Sequence, residues 1–469
     1  MPFPAPRGTT VLLPRQAHAF DRLQRIAHSV FSRYGYALIE TPTFEQLDVF
    51  VRGIGEATDV VGKEMFRVFS PAALAKMAEG TALKIDEMLA LRPEQTAGVA
   101  RAVVQHNLVP PEGATTKLWY KGSMFRAERP QMGRLREFHQ IGAECLGAAE
   151  PSADAEVIIM LMRFFEGCGI PRDAMRLYLN SMGDGTCRPA YREKIREHII
   201  AHSEALCPEC VRRADTNPLR AFDCKNPACQ TVMEQAPRLV DLLCGECATH
   251  YVEVKALLDA EGMAYEENPR LVRGLDYYTR TVFEVQVDAG LGSQNAIGGG
   301  GRYDALIEEF GGRPVPGLGF AVGLERIQLV LEAVGGAVDC SPKPAIYVAA
   351  VDAKVRSAAF SLAQRLRDAG VATELDHQGR SLKSQFKQAD KLGVSQVIVV
   401  GPDELLRGSV TLRAMDSHEE ATVSLETIVD VVYERVMRDV LASQSEGSGS
   451  DGDSTGGLSR ILPAQEGDL

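Results

Sequence analysis

The sequence predicts a mixed helix-and-strand protein of two or three domains that closes on a small α/β domain. Three observations carry that prediction. The chain has 469 residues, more than one compact domain holds. Residues 124–144, MFRAERPQMGRLREFHQIGAE, alternate apolar and polar side chains, break at Pro130 and Gly133, then alternate again, which reads as strand, loop, strand. Beyond Pro344, short apolar runs at 345–351, 371–375, 396–400 and 410–413 alternate with helical periods, as in an α/β domain of about a hundred residues.

From the start of the chain, Phe20, Leu23, Ala27, Val30, Phe31 and Tyr34 recur at steps of three and four, predicting a helix over 17–34 that Gly35 ends. A strand over 36–41 stops at Pro42, which has no N–H for a ladder. Gly53, Gly55 and Gly62 suggest a long loop over 52–69 ahead of a short strand. Pro93 then gives way to a helix over 94–107 whose first turn holds Glu94 and Thr96, groups that suit both capping and ligand contact.

Within 124–144, alternation turns the apolar side chains to a core and places Arg126, Glu128, Gln140 and Glu144 on one pocket floor. Ser152 is expected to cap an apolar helix over 157–165 ended by Gly167 or Gly169, and 177–180 is a strand. From 183 to 262 the chain becomes charged, helical in pattern and rich in cysteine, as an insertion would be. It carries Cys207 and Cys210, Cys224 and Cys229, and Cys244 and Cys247. Two CxxC pairs have the spacing of a four-thiolate zinc site, for which Cys207, Cys210, Cys244 and Cys247 are the expected ligands.

A strand over 281–287 follows a turn crowded with Arg273, Asp276, Tyr277, Tyr278 and Arg280, suited to a ligand both aromatic and anionic. The glycines of GGGGRYD at 298–304 permit positive φ or a close backbone approach, without the Walker or GxGxxG spacing. A strand over 319–322 leads through Gly323 into a helix whose first turn holds Glu325 and Arg326. An arginine there opposes the helix dipole, so a nearby anion would compensate it. After a boundary at 340–344, Arg380, Lys383, Lys387 and Lys391 form one basic helix face, the best polyanion contact in the terminal domain. The glycine-rich acidic stretch 443–469 is expected to be a disordered tail.

Hydrophobic residues make up 45% and charged residues 24% of the chain, the balance of an ordinary globular protein. A net charge of −12 argues against a wholesale nucleic-acid coat but leaves room for a local basic patch. No apolar run reaches bilayer length, and the first residues lack a secretion pattern, so a cytoplasmic location is expected. Grouped cysteines in a reducing compartment point to metal ligation over disulfides.

Five ordered stretches fit one family. The strand ending in Pro42, the MFRAERPQ hairpin and GLGFAVGLERI resemble motifs one, two and three of class II aminoacyl-tRNA synthetases, while LVRGLDYYTRTVFEV and GGGGRYD resemble the two signature motifs of histidyl-tRNA synthetases. The resemblance implies an α+β catalytic domain with an antiparallel sheet flanked by helices, in two parts, 1–182 and 263–340. Around them stand the insertion 183–262, an anticodon-binding α/β domain at 345–440 and the tail. It further implies a homodimer joined through motif one, and as substrates ATP with Mg2+, L-histidine and histidine tRNA. Arg126 would bind the α-phosphate and the substrate carboxylate, Glu128 the adenine side of ATP, Arg326 the distal phosphates, and Arg273 the α-phosphate. Glu94 and Thr96 would lie near the α-amino group of histidine and Gln140 near its polar end, with Glu144, Tyr278 and Tyr277 at the imidazole and Gln95 also counted among the histidine-binding residues. A regulatory, synthetase-like histidine sensor has the same fold; it typically lacks the terminal domain and the signature arginines, which this chain retains.

Overall fold

Ile141, Ala143 and Cys145 alternate with Gln140, Gly142 and Glu144 along the strand Glu137–Leu146, and the odd-numbered set is buried in the main core. That period of two decides the architecture, because it gives the sheet one face for a helical cover and one for a pocket. The computed structural model describes residues 3–55, 58, 60–108, 114–131, 133–271, 277–288, 295–336 and 341–447. They form two compact units, Met1–Val338 and Asp339–Leu469. No described helix is long and apolar enough to cross a membrane.

In the first unit, eight strands run in the spatial order Ala37–Leu38, Thr116–Phe125, Glu137–Leu146, Gly317–Gly323, Ala296–Arg302, Thr279–Val287, Met175–Ser181, Glu266–Glu267. The six central strands are antiparallel throughout, in line with the expected α+β sheet; the two-residue strands at the edges pair in parallel. Helices Pro14–Arg33 and Pro151–Cys168 cover one face, where Phe20, Phe31, Phe164 and Phe165 pack against Trp119, Ile141 and Phe320. Leu118, Tyr120, Met124 and Val282 face the opposite core.

Glycines deceive in several places. The stretch read as a loop from residue 52 begins inside the helix Leu47–Ile54, and a Cβ on Gly53 would stand 2.7 Å from the Cβ of Ala97. Gly53 therefore lets this helix lie against Thr96–Gln105 rather than breaking it, and Gly55 (φ 101) ends it. Gly167 likewise sits inside Pro151–Cys168, close to Ile26, and the left-handed Gly169 is the terminator. That helix begins with Pro151 at its first position and Glu150 at its N-cap, so Ser152 does not cap it. Gly298–Gly301 form a central strand without positive φ. They are there for close approach: a Cβ on Gly301 would stand 2.9 Å from the Tyr278 ring, and one on Gly300 would collide with the Gly319 carbonyl. Arg302, which follows, is a buried structural residue, paired with Asp154 and donating to the Ala148 carbonyl at 2.8 Å.

The second unit is a five-stranded sheet in the order Thr373–Leu375, Ile346–Ala350, Gln396–Val400, Ser409–Ala414, Glu420–Ser424. The first three are parallel and the last two antiparallel. Glu420–Ser424 escapes the sequence reading because it is an edge strand of polar composition. The terminal helix Ile428–Gly447 runs through Ser443, where the tail was expected to begin; the remainder of that stretch lies outside the described residues.

Candidate active site

One cavity opens on the sheet face away from the main helices. Its floor follows from register: Gly319 lies opposite Glu144, Gly323 opposite Gln140, and Gly122 opposite Gln140 on the other side. A Cβ on Gly319 would collide with the Glu144 carboxylate, so glycine is what allows a buried acid in mid-sheet.

At one end, Glu144 is 1% exposed. The Thr96 hydroxyl donates to its Oε1 at 2.7 Å and the Tyr303 hydroxyl donates to its Oε2. Burial pushes its carboxyl up to about 8, against the lowering effect of those two hydroxyls. Glu94 does cap the neighbouring helix, accepting from the backbone N–H of Thr96 at 2.7 Å and Ala97 at 2.9 Å, while burial raises its pKa as well. Tyr277 and Tyr278, with ring centroids 4.6 Å apart, border this end, and Tyr303 stands edge-on to Tyr277 at 5.6 Å. Gln140 lines the cavity with an Oε1 that has no partner among the described residues.

At the other end the cavity is bordered by Arg126, Arg134 and Arg326. Arg126 is aimed by its Nε, which donates to the Pro93 carbonyl at 3.0 Å, and by the Phe138 ring at 5.3 Å. Arg326 donates to the carbonyls of Ala296 at 2.8 Å and Gly133 at 3.3 Å. Burial and the like charges of Arg134 and Arg126 hold its pKa below the ordinary guanidinium range. Glu128 pairs with Arg134 at 2.8 Å and stands 4.0 Å from Arg126. Three guanidinium groups converge here beside the carboxylates of Glu128, Glu284 and Glu325, and their planar forked donors suit a phosphate chain. Next to it, Glu325 accepts from the backbone N–H of His139 at 2.9 Å and contacts its Nδ1 at 2.8 Å, which raises the pKa of His139.

The family model for histidyl-tRNA synthetase matches residues 8–327, and that for an anticodon-binding domain matches residues 345–435. The histidine-tRNA ligase of Anaeromyxobacter sp. (strain K) is 46% identical over 422 residues, 90% of this chain and 97% of that protein. The chain belongs to the histidyl-tRNA synthetase family. The histidine-tRNA ligase of Desulforamulus reducens is 43% identical over 427 residues, 90% of this chain and 97% of that relative. The crystal structure of apo S. aureus histidyl-tRNA synthetase superposes with a TM-score of 0.75 at 32% identity, covering 92% of this chain and 99% of that one.

Of the site residues expected of a histidyl-tRNA synthetase, the cavity brings together Glu94, Thr96, Arg126, Glu128, Gln140, Glu144, Tyr277, Tyr278 and Arg326. Arg273 lies outside the described residues. Gln95 does not border the cavity; it is the buried N-cap of Thr96–Gln105, and its amide has no partner among the described residues. Sequence reasoning left Arg134 unassigned among the loop arginines and passed over Tyr303, although GGGGRYD contains it. The glycine that makes room for its ring is Gly317, where a Cβ would stand 2.4 Å from it, a relation that spacing within GGGGRYD does not show.

The insertion does not pair its cysteines as expected. Cys207 and Cys210 lie with Cys224 and Cys229, whereas Cys244 and Cys247 lie with Cys187 and Asp184. The two CxxC pairs open different helices, Pro208–Thr216 and Gly245–Ala260, so the quartet Cys207, Cys210, Cys244 and Cys247 is not assembled. In the anticodon-binding domain, Lys383, Lys387 and Lys391 are exposed on the helix Leu382–Leu392. Arg380 differs from them: its Nε and backbone N–H both bind Asp376 at 2.7 Å, which neutralises it locally.

Proposed function

We propose that the cavity joins L-histidine to ATP as histidyl-adenylate and that the chain then transfers the histidyl group to the 3′-terminal adenosine of histidine tRNA. The observation that carries this reading is polarity: one cavity holds three guanidinium groups at one end and a buried carboxyl flanked by tyrosines at the other. A carboxylate oxygen of histidine attacks the α-phosphorus of ATP, and the bond to the bridging oxygen breaks, releasing pyrophosphate. In transfer, the ribose hydroxyl attacks the acyl carbon and AMP leaves.

Arg126 takes both the α-phosphate and the histidine carboxylate: its Nε–H is held by the Pro93 carbonyl, and the four Nη hydrogens remain to draw the two reacting groups together. Arg326 and Arg134 take the distal phosphates, Glu128 orients Arg134 and the adenine side, and Arg273 acts at the α-phosphate. Mg2+ accompanies ATP and offsets charge on its phosphates. Glu144 and Tyr278 select the imidazole, Tyr277 walls it, and the unpaired Gln140 oxygen accepts a donor of the amino acid. An apolar isostere would leave those buried groups unpaired, which supports strong discrimination.

The lysine face of the terminal domain meets tRNA. Leu38, in the edge strand Ala37–Leu38, and Phe44, a few residues beyond it, are exposed apolar side chains, which favours a homodimer through this segment. We place the chain in the cytoplasm, where tRNA is charged. Histidine-dependent exchange between ATP and pyrophosphate is the test. Exchange confined to histidine is the expected outcome, and histidine binding without exchange would contradict the activation reading.

A further inference from the structure

Among the described residues, two groups of metal-type side chains lie outside the cavity. In the first, the Sγ atoms of Cys207, Cys210, Cys224 and Cys229 all lie within 4.8 Å of one another. The Cys207–Cys224 separation is 3.9 Å. A disulfide needs about 2.05 Å, whereas thiolates at about 2.3 Å from a tetrahedral zinc stand about 3.8 Å apart. The backbone N–H of Cys207 donates to Cys229 Sγ at 3.2 Å, the kind of outer hydrogen bond that holds a metal-bound thiolate.

The second group has a different donor set. Asp184, Cys187, Cys244 and Cys247 also lie within 4.8 Å of one another. Asp184 stands three residues before Cys187, so DGTC supplies the same spacing as CGEC with a carboxylate in place of one thiol. Its Oδ1 is occupied by the backbone N–H groups of Thr186 at 2.9 Å and Cys187 at 3.1 Å, while Oδ2 faces Cys244 Sγ at 3.8 Å. The Cys244 N–H donates to Cys187 Sγ at 3.1 Å, repeating the outer bond of the first group.

We infer that the insertion holds two separate zinc ions, one on Cys207, Cys210, Cys224 and Cys229, the other on Asp184, Cys187, Cys244 and Cys247. Both donor sets are closed tetrahedra without a position for water, so the ions are structural. The second has the more consequential place. Asp184 opens the insertion and Cys247 lies in the first turn of its last helix, Gly245–Ala260, so one ion ties the start of the insertion to that helix. The turn it holds is bonded to the strand that follows Tyr278: Arg280 N–H donates to the Gly183 carbonyl at 2.7 Å, and Arg188 donates to the Tyr278 carbonyl at 3.0 Å.

Elemental analysis of the purified full chain, made without added metal, should find two zinc per chain. Mercurial titration of the unmodified protein should release both. Cys224→Ser and Cys187→Ser should each lose one ion and the double variant both. Cobalt substituted into Cys187→Ser should give the spectrum of a four-thiolate site, and into Cys224→Ser that of a three-thiolate, one-oxygen site. One zinc per chain, or loss of the same ion in both variants, would overturn the two-centre assignment. Disulfides in the purified protein, or less than about half an equivalent of any metal, would overturn it altogether.

Discussion

The hydroxyl of Thr96 donates to Oε1 of Glu144 at 2.7 Å, joining the first turn of a helix to the middle of the sheet. With Tyr303 on the other oxygen, each carboxyl oxygen accepts one hydroxyl, and burial still raises the pKa to about 8. Glu144 thus keeps a proton at neutral pH where an imidazole is proposed to bind.

Histidine affinity should follow that proton. Below about 8 the empty site is protonated, and above it the proton is lost. An entering neutral imidazole adds a second base, so the complex holds the proton more tightly than the empty site. Affinity should therefore fall above about pH 8, by up to about tenfold per unit. Calorimetric titration of histidine across that range checks it. Glu144→Gln should flatten the limb, and an unchanged limb in that variant would assign it to another group.

The same shift bears on folding. The folded chain holds the Glu144 proton up to about 8, whereas the unfolded chain releases it near the ordinary carboxylate value of 4.5. Stability is therefore lost as pH rises through that window. Urea midpoints at several pH values should fall less steeply for Glu144→Gln than for the parent.

Arg326→Ala should raise the Michaelis constant for ATP by about tenfold to a hundredfold, the worth of one or two charged hydrogen bonds. The constant for histidine should change little, because Arg326 lies beyond Gly323, four residues along the strand from Gly319, which is the residue opposite Glu144. Pyrophosphate exchange with each substrate varied in turn measures both.

Gly319→Ala should cost about 1–3 kcal/mol of stability, since the new methyl collides with the Glu144 carboxylate and has a backbone carbonyl, that of Ala143, on its other side. Thermal unfolding reads the loss, and a wild-type midpoint would show that Glu144 can move aside.

Charge reversal at Lys383, Lys387 and Lys391 should raise the Michaelis constant for tRNA and spare pyrophosphate exchange. An unchanged tRNA constant would remove this face from the interface.

The hairpin at 124–144 was legible because one side of it is core: a period of two with Ile141, Ala143 and Cys145 inward forces Gln140 and Glu144 to the cavity. Arg134 was not, since it lies in the connecting loop, where alternation says nothing about direction. The roles of Gly53, Gly167 and Gly319 depend on what approaches them from elsewhere in the chain, and one-dimensional spacing cannot show that. Cys187 stayed hidden for a related reason: its local partner is an aspartate, so no CxxC pattern marks it.

Charging of tRNA tests the central claim most directly. Purified chain, ATP, Mg2+, radiolabelled histidine and histidine tRNA should yield acid-precipitable histidyl-tRNA, and Glu144→Ala should lower the rate by about a hundredfold or more. Absence of charging by the parent chain, or charging by Glu144→Ala at the parental rate, would contradict the account.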